Sequence, residues 1–112
     1  MSSGASASSS APRFSVVVPT LEEAANLPEL WAALSAQGEP FQGIVSDGGS
    51  RDGTAQLARE LGAEVVLGPR GRGPQLARGA ALARGELALF LHADTRLAPG
   101  ALAALARAFA DP

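Results

Sequence analysis

The chain has no cysteine and no lysine. The first absence excludes a disulfide framework and any thiolate metal site, and leaves the redox compartment open. The second means that all nine basic residues are arginine, set against eleven acidic ones for a net charge of −2 and a pI near 5.3. That balance argues against a nucleic-acid partner held by bulk charge, so the placement of individual arginines matters more than their total. No apolar run exceeds the length of a strand, and no transmembrane segment is expected. The opening stretch, MSSGASASSSAP, lacks both the basic and the apolar parts of a secretory leader. It reads as a disordered tail over residues 1–12, and a cytoplasmic location is expected. Several site types are missing as well. The segment VPTLEEA after the first strand carries neither a G-x-G-x-x-G fingerprint nor a phosphate loop ending in Gly-Lys-Ser/Thr, and neither H-E-x-x-H nor G-x-S-x-G occurs.

What remains alternates between strand-sized and helix-sized units. FSVVV is a β-branched run that Pro19 is expected to stop; Leu27, Leu30, Trp31 and Leu34 then repeat with helical spacing behind an Asn26 N-cap, with Pro28 in the first turn. QGIVS is a second strand, followed by a helix through Leu57 and Leu61 that Asp52 can cap and Gly62 can close. AEVVL is a third strand. Pro74 is expected to open a helix ending at Gly85, ELALFL forms a fourth strand, and Pro99 opens a helix with Leu102, Leu105 and Phe109 on one face. The alternation predicts an α/β fold, a Rossmann-like open and mainly parallel sheet with helices on both faces. In such sheets ligands bind beyond the carboxyl ends of the strands, where strand order reverses; with order 3-2-1-4 that crevice lies between strands one and four.

The polar residues gather at those strand ends. Asp47 precedes a glycine pair and could accept a hydrogen bond from a base or ribose; equally, it could begin an Asx turn. Arg70 and Arg72 lie in a glycine-rich loop before a helix, where guanidinium groups and helix amides both favour phosphate, although a solvated loop would look the same. His92 and Asp94, two apart in LFLHADTR, would share one face if the strand continued through them. Asp94 could then hold a hard divalent cation and His92 could be its neighbour or a neutral rim residue. Together these describe a nucleoside diphosphate site.

In order and spacing, FSVVVPTLEEAANLPELWAAL, IVSDGGSRDGT and ARGAALARGELALFLHADT resemble the N-terminal, nucleotide-binding half of family 2 glycosyltransferases with the GT-A fold, over residues 13–112. The resemblance implies that Pro19, Thr20 and Glu23 line the nucleotide pocket, that Asp47 contacts the base, and that Arg72 falls near a basic position of the third crossover. It also implies that His92-Ala93-Asp94 occupies the place of the D-x-D motif, in which Asp94 binds Mg²⁺ or Mn²⁺ on the diphosphate of a nucleoside diphosphate sugar. Three positions depart from the family pattern: Glu22 stands where asparagine is usual, Gly48 where a second aspartate is common, and His92 in place of the first aspartate of D-x-D. The His-Ala-Asp-Thr form is similar to the family 2-like subgroup associated with radical SAM and selenodomain proteins. The implied activity is metal-assisted transfer of a sugar to an unknown acceptor, with the acceptor site and catalytic base in a C-terminal half that would begin about where this sequence stops. Two other readings stay open: a nucleotide-binding module without turnover, and a nucleotidyltransferase, whose basic glycine-rich loop should follow strand one, where Leu21-Glu22-Glu23 stands instead.

Overall fold

The computed structural model describes residues 12–110; the expected tail therefore lies, apart from Pro12, outside the described residues. Four strands, β1 (Phe14–Thr20), β2 (Phe41–Asp47), β3 (Glu64–Leu67) and β4 (Leu87–Phe90), alternate with four helices, α1 (Leu27–Ser35), α2 (Thr54–Glu60), α3 (Arg72–Ala80) and α4 (Ala101–Ala110). All strand pairs are parallel and the order is β3-β2-β1-β4, as the alternation predicts. Among the described residues no helix is long and apolar enough to cross a membrane.

Both central strands are buried on both faces, which is why β1 and β2 read as apolar runs rather than as alternations. Phe14, Val16 and Val18 of β1 join Leu27, Leu30, Trp31 and Leu34 of α1, Ala58 of α2 and Leu102 of α4 in one core. Val17, on the opposite face of β1, meets α3. Gly79 makes that contact close: a Cβ there would lie 2.4 Å from Val17 Cγ1.

Four local expectations change. β1 continues through Pro19 to Thr20. Thr20 O accepts from Gly48 N on the β2 side, whereas Val17 O accepts from Leu91 N on the β4 side. Pro19, two residues after Val17, therefore turns its missing N–H away from β2, where no ladder bond is lost. Second, α3 starts at Arg72 and stops at Ala80, ahead of both expected limits. The backbone N–H groups of Arg84 and Gly85 donate to Gln42 Oε1 (2.8 Å) and Ser15 Oγ (2.8 Å), and Gln42 Nε2 donates to Leu82 O (2.8 Å), so the sheet takes the groups that a longer helix would have used. Third, Asn26 is the N-cap by position but its side chain makes no cap bond; its amide donates to Glu23 Oε1 instead. Asp52 does act at the start of α2, accepting from Thr54 N at 3.0 Å, and Gly62 follows that helix with φ +99° as expected. Fourth, Leu102 is buried but Phe109 is 65% exposed, because the last turn of α4 runs past the core.

Candidate nucleotide cleft

The register fixes the site. β1 and β2 end level, pairing Thr20 with Asp47, whereas β4 pairs with β1 only as far as Val17. A notch therefore opens beside the last residues of β1, at the point where strand order reverses. A cleft of about 270 Å³ occupies it, lined by Pro19, Thr20, Leu21, Glu23, Arg72, Gln75 and His92. A smaller hollow of about 50 Å³ shares Pro19, Arg72 and His92 and extends along Leu76, Phe90 and Leu91.

Five of the residues singled out from the sequence, Pro19, Thr20, Glu23, Arg72 and His92, thus face one space. Arg70 is exposed and does not line it. Asp47 lies directly behind, 1% exposed. Its Oδ1 accepts from the hydroxyls of Thr20 (2.7 Å) and Ser50 (2.6 Å), and its Oδ2 from the backbone N–H groups of Gly49 (3.0 Å) and Ser50 (2.8 Å). All four lone-pair positions are occupied. Burial opposes ionisation, but the Ser50 and Thr20 hydroxyls together with the two N–H donors outweigh it and hold the Asp47 carboxyl below its ordinary pKa.

The loop after β1 is stitched to the loop after β2. Glu22 N donates to Ser50 Oγ (2.7 Å), Glu23 N to Thr54 Oγ1 (3.0 Å) and Ala24 N to Asp52 Oδ2 (3.1 Å), while the Glu22 carboxylate accepts from Arg51 N. The Thr54 hydroxyl first, opposed by some burial and assisted by backbone N–H donors that include Ala24, holds the Asp52 pKa below its ordinary value. Leu21 and Glu23 are set against the cleft by this frame rather than by packing alone.

His92 and Asp94 part company. Thr95 N donates to His92 O at 3.0 Å and closes a turn, so the strand-like same-face geometry does not occur. His92 lines the cleft, whereas Asp94 lines a separate hollow of about 40 Å³ against α1, with Asn26, Glu29, Leu30, Ala93, Thr95 and Arg96. Glu29 is already paired there with Arg96 at 2.7 Å. Among the described residues no three His, Cys, Asp or Glu side chains converge to hold a metal ion. Asp94 is the one carboxylate of the 92–95 turn and is exposed, an oxygen donor of the kind that hard divalent cations take.

The sequence reading passed over Leu21 and Gln75. Gln75 had a signal: it precedes Gly79 by four residues, which puts a polar side chain on the sheet-facing side of α3.

A sequence profile of glycosyl transferase family 2 matches residues 15–112. A PGL/p-HBAD biosynthesis glycosyltransferase of Mycobacterium bovis is 36% identical over 96 residues, covering 78% of this chain and 37% of that protein. A 4,4'-diaponeurosporenoate glycosyltransferase of Staphylococcus haemolyticus is 45% identical over 51 residues, 46% of this chain and 14% of that one. Among solved structures, the mannosyltransferase of Pyrobaculum calidifontis in complex with GDP-Man and Mn²⁺ superposes with a TM-score of 0.78 at 28% identity, covering 92% of this chain and 34% of that one. Glucosyl-3-phosphoglycerate synthase of Mycobacterium tuberculosis, in complex with Mn²⁺, UDP and glucosyl-3-phosphoglycerate, does so with a TM-score of 0.63 at 29% identity over 73% of this chain and 33% of that one. The chain therefore matches between about a seventh and little more than a third of the length of these relatives. The profile match over most of the chain and the likeness to these structures agree: the chain belongs to glycosyl transferase family 2.

Proposed function

We propose that this chain is the donor-binding part of a glycosyltransferase, and that its cleft holds the nucleoside diphosphate of a nucleotide sugar. The observation that carries the reading is the convergence of Pro19, Thr20, Glu23, Arg72 and His92 on one cleft at the carboxyl ends of β1 and β4. Relatives solved with GDP-Man or UDP and Mn²⁺ support it. Thr20 and Asp47 stand on the base side, where a base N–H can replace one of the two hydroxyls that now donate to Asp47. Arg72 serves the diphosphate, with His92 lining the same cleft; Arg70, outside the cleft, contributes only long-range charge.

In the transfer, an acceptor hydroxyl attacks the anomeric carbon, the bond from that carbon to the diphosphate oxygen breaks, and the acceptor proton passes to a base. No residue of this chain is assigned as that base. As the bond breaks, negative charge grows on the leaving diphosphate, and the guanidinium of Arg72 stabilises it. Asp94 would hold Mg²⁺ or Mn²⁺, and such an ion would supply further positive charge to the leaving diphosphate. The His-Ala-Asp-Thr turn supports membership of the radical SAM/selenodomain-associated subgroup, and we assign the protein to the cytoplasm.

Titration calorimetry with UDP and GDP, each with Mn²⁺, with Mg²⁺ and with chelator, tests the reading. One diphosphate should bind more tightly than its nucleoside, and the metal should tighten it further. Absence of binding by either diphosphate refutes the cleft assignment, and binding of the nucleotide sugar with no release of its sugar in the presence of any acceptor or water favours a module without turnover.

A further inference from the structure

We propose that Gln75 is the positioning residue of the cleft, fixing the start of α3, and hence Arg72, against the carboxyl ends of β1 and β2. The inference rests on the nucleotide reading above and concerns how that site is held in shape. Gln75 is 6% exposed, an unusual place for an amide unless every polar atom is used. Here each one is. Nε2 donates to Thr20 O and to Ser46 O, both at 2.9 Å, and Oε1 accepts from Gly71 N at 2.9 Å. The three partners belong to three different places: the end of β1, the end of β2 and the N-cap residue just before α3. Thr20 lines the cleft, and Arg72 follows Gly71 directly.

Space has been cleared for this amide. A Cβ at Gly48 would lie 2.8 Å from Gln75 Oε1 and 2.8 Å from Arg70 Cβ, so a side chain at 48 and the amide at 75 exclude one another. An apolar residue of similar volume at 75 would fill the position but leave the Gly71 N–H without this acceptor and remove one bond from each of the Ser46 and Thr20 carbonyls, which keep their ladder bonds. The packing would survive while the reference between strand ends and helix start would be lost. Arg72 would then sample orientations in which its guanidinium misses the phosphate, which is a loss of preorganisation rather than of contact.

The experiment is a double-mutant cycle on the full chain with whichever of UDP and GDP binds more tightly, and with its nucleoside. Gln75→Met keeps the volume, and Arg72→Ala removes the guanidinium. We expect Gln75→Met to weaken diphosphate binding roughly tenfold, to leave the nucleoside within about twofold, and to make Arg72→Ala nearly silent in the double variant, as coupled neighbours do. Amide hydrogen exchange without ligand gives a second reading: Gly71 N–H should lose protection in Gln75→Met while the β1 and β2 amides keep theirs. Losses that simply add, or equal weakening of nucleoside and diphosphate, overturn the inference, as does unchanged exchange at Gly71. If the wild-type chain binds neither diphosphate, the nucleotide reading fails and this inference with it; if it binds and the losses add, only this inference fails.

Discussion

Asp47→Ala separates what holds the site together from what the site binds. The wild-type carboxylate gathers four donors from three residues at the level where β1 and β2 end. A hydrogen bond to a charged group contributes about 1.5–3 kcal/mol, but these four are not independent, and the Thr20 and Ser50 hydroxyls can rotate to other acceptors. The Gly49 and Ser50 N–H groups cannot rotate, but Gly49 is exposed and Ser50 half-buried, so water can meet part of what they lose. Asp47→Ala should therefore destabilise the fold by about 2–3 kcal/mol, or lower Tm by roughly 10–20 °C for a domain of this size. Asp47→Asn should cost only about 1 kcal/mol, because one amide oxygen can still accept both N–H groups while its NH₂ donates to the hydroxyls. The acid side gives an independent check. The folded Asp47 pKa is depressed, so its contribution is complete above the unfolded value and is lost as pH falls through the folded one. The stability gap between wild type and Asp47→Asn should thus be constant at neutral pH and narrow below about pH 4. Thermal melts at several pH values measure all of this, and an alanine variant within about 1 kcal/mol of wild type would refute the account of the turn.

Three further outcomes follow from the same geometry. Arg72→Ala should weaken diphosphate binding about tenfold, the scale of one charge-assisted pair, without changing nucleoside affinity, whereas Arg70→Ala should change neither, both read by calorimetry. Asp94→Asn should remove the metal dependence of diphosphate binding, while His92→Ala should retain that dependence at an affinity lowered only about two- to fivefold, a contrast that the same titrations with and without Mn²⁺ reveal. At the opposite rim, Gln42→Leu should cost about 2 kcal/mol in urea unfolding, because it removes the acceptor of the Ser15 hydroxyl and the donor to the Leu82 carbonyl at this buried amide and leaves the Arg84 N–H only its longer bond to Ser15 Oγ.

Much of the fold was legible because its signals are local. β-branched runs, the Leu27–Leu34 repeat and Gly62 mark elements whose period or dihedral preference needs no tertiary partner. Boundaries set by long-range bonds were not. The end of α3 depends on Ser15 and Gln42, far away in sequence, and no window around Ala80 contains them. Glu22 is an intermediate case. It has φ +58°, a left-handed conformation that asparagine accepts more readily than glutamate. Family resemblance marks this position as one where asparagine is usual, and the backbone supplies the reason. What the sequence could not convey is that the Glu22 carboxylate reaches across to Arg51 N and so helps to tie the two loops together.

The separation of His92 from Asp94 traces to Pro19, whose effect falls on a strand other than its own. In a parallel ladder, residue 17 accepts from the N–H one position beyond its partner, as Val17 O does from Leu91 N beyond Phe90. Two residues on, the same pattern would have residue 19 donate its N–H to the carbonyl of Leu91, and proline has none to give. The ladder on that side therefore stops, although β1 itself continues to Thr20 by bonding to β2. Freed from the sheet, residues 92–95 close their own turn, which directs His92 to the cleft and Asp94 to the hollow beside α1. A valine in place of Pro19 would permit the longer strand that LFLHADT suggests, with both side chains on one face and the notch narrowed. The proline thus keeps open the space that the nucleotide is proposed to fill, and the turn it permits leaves Asp94 in a separate hollow rather than inside that space.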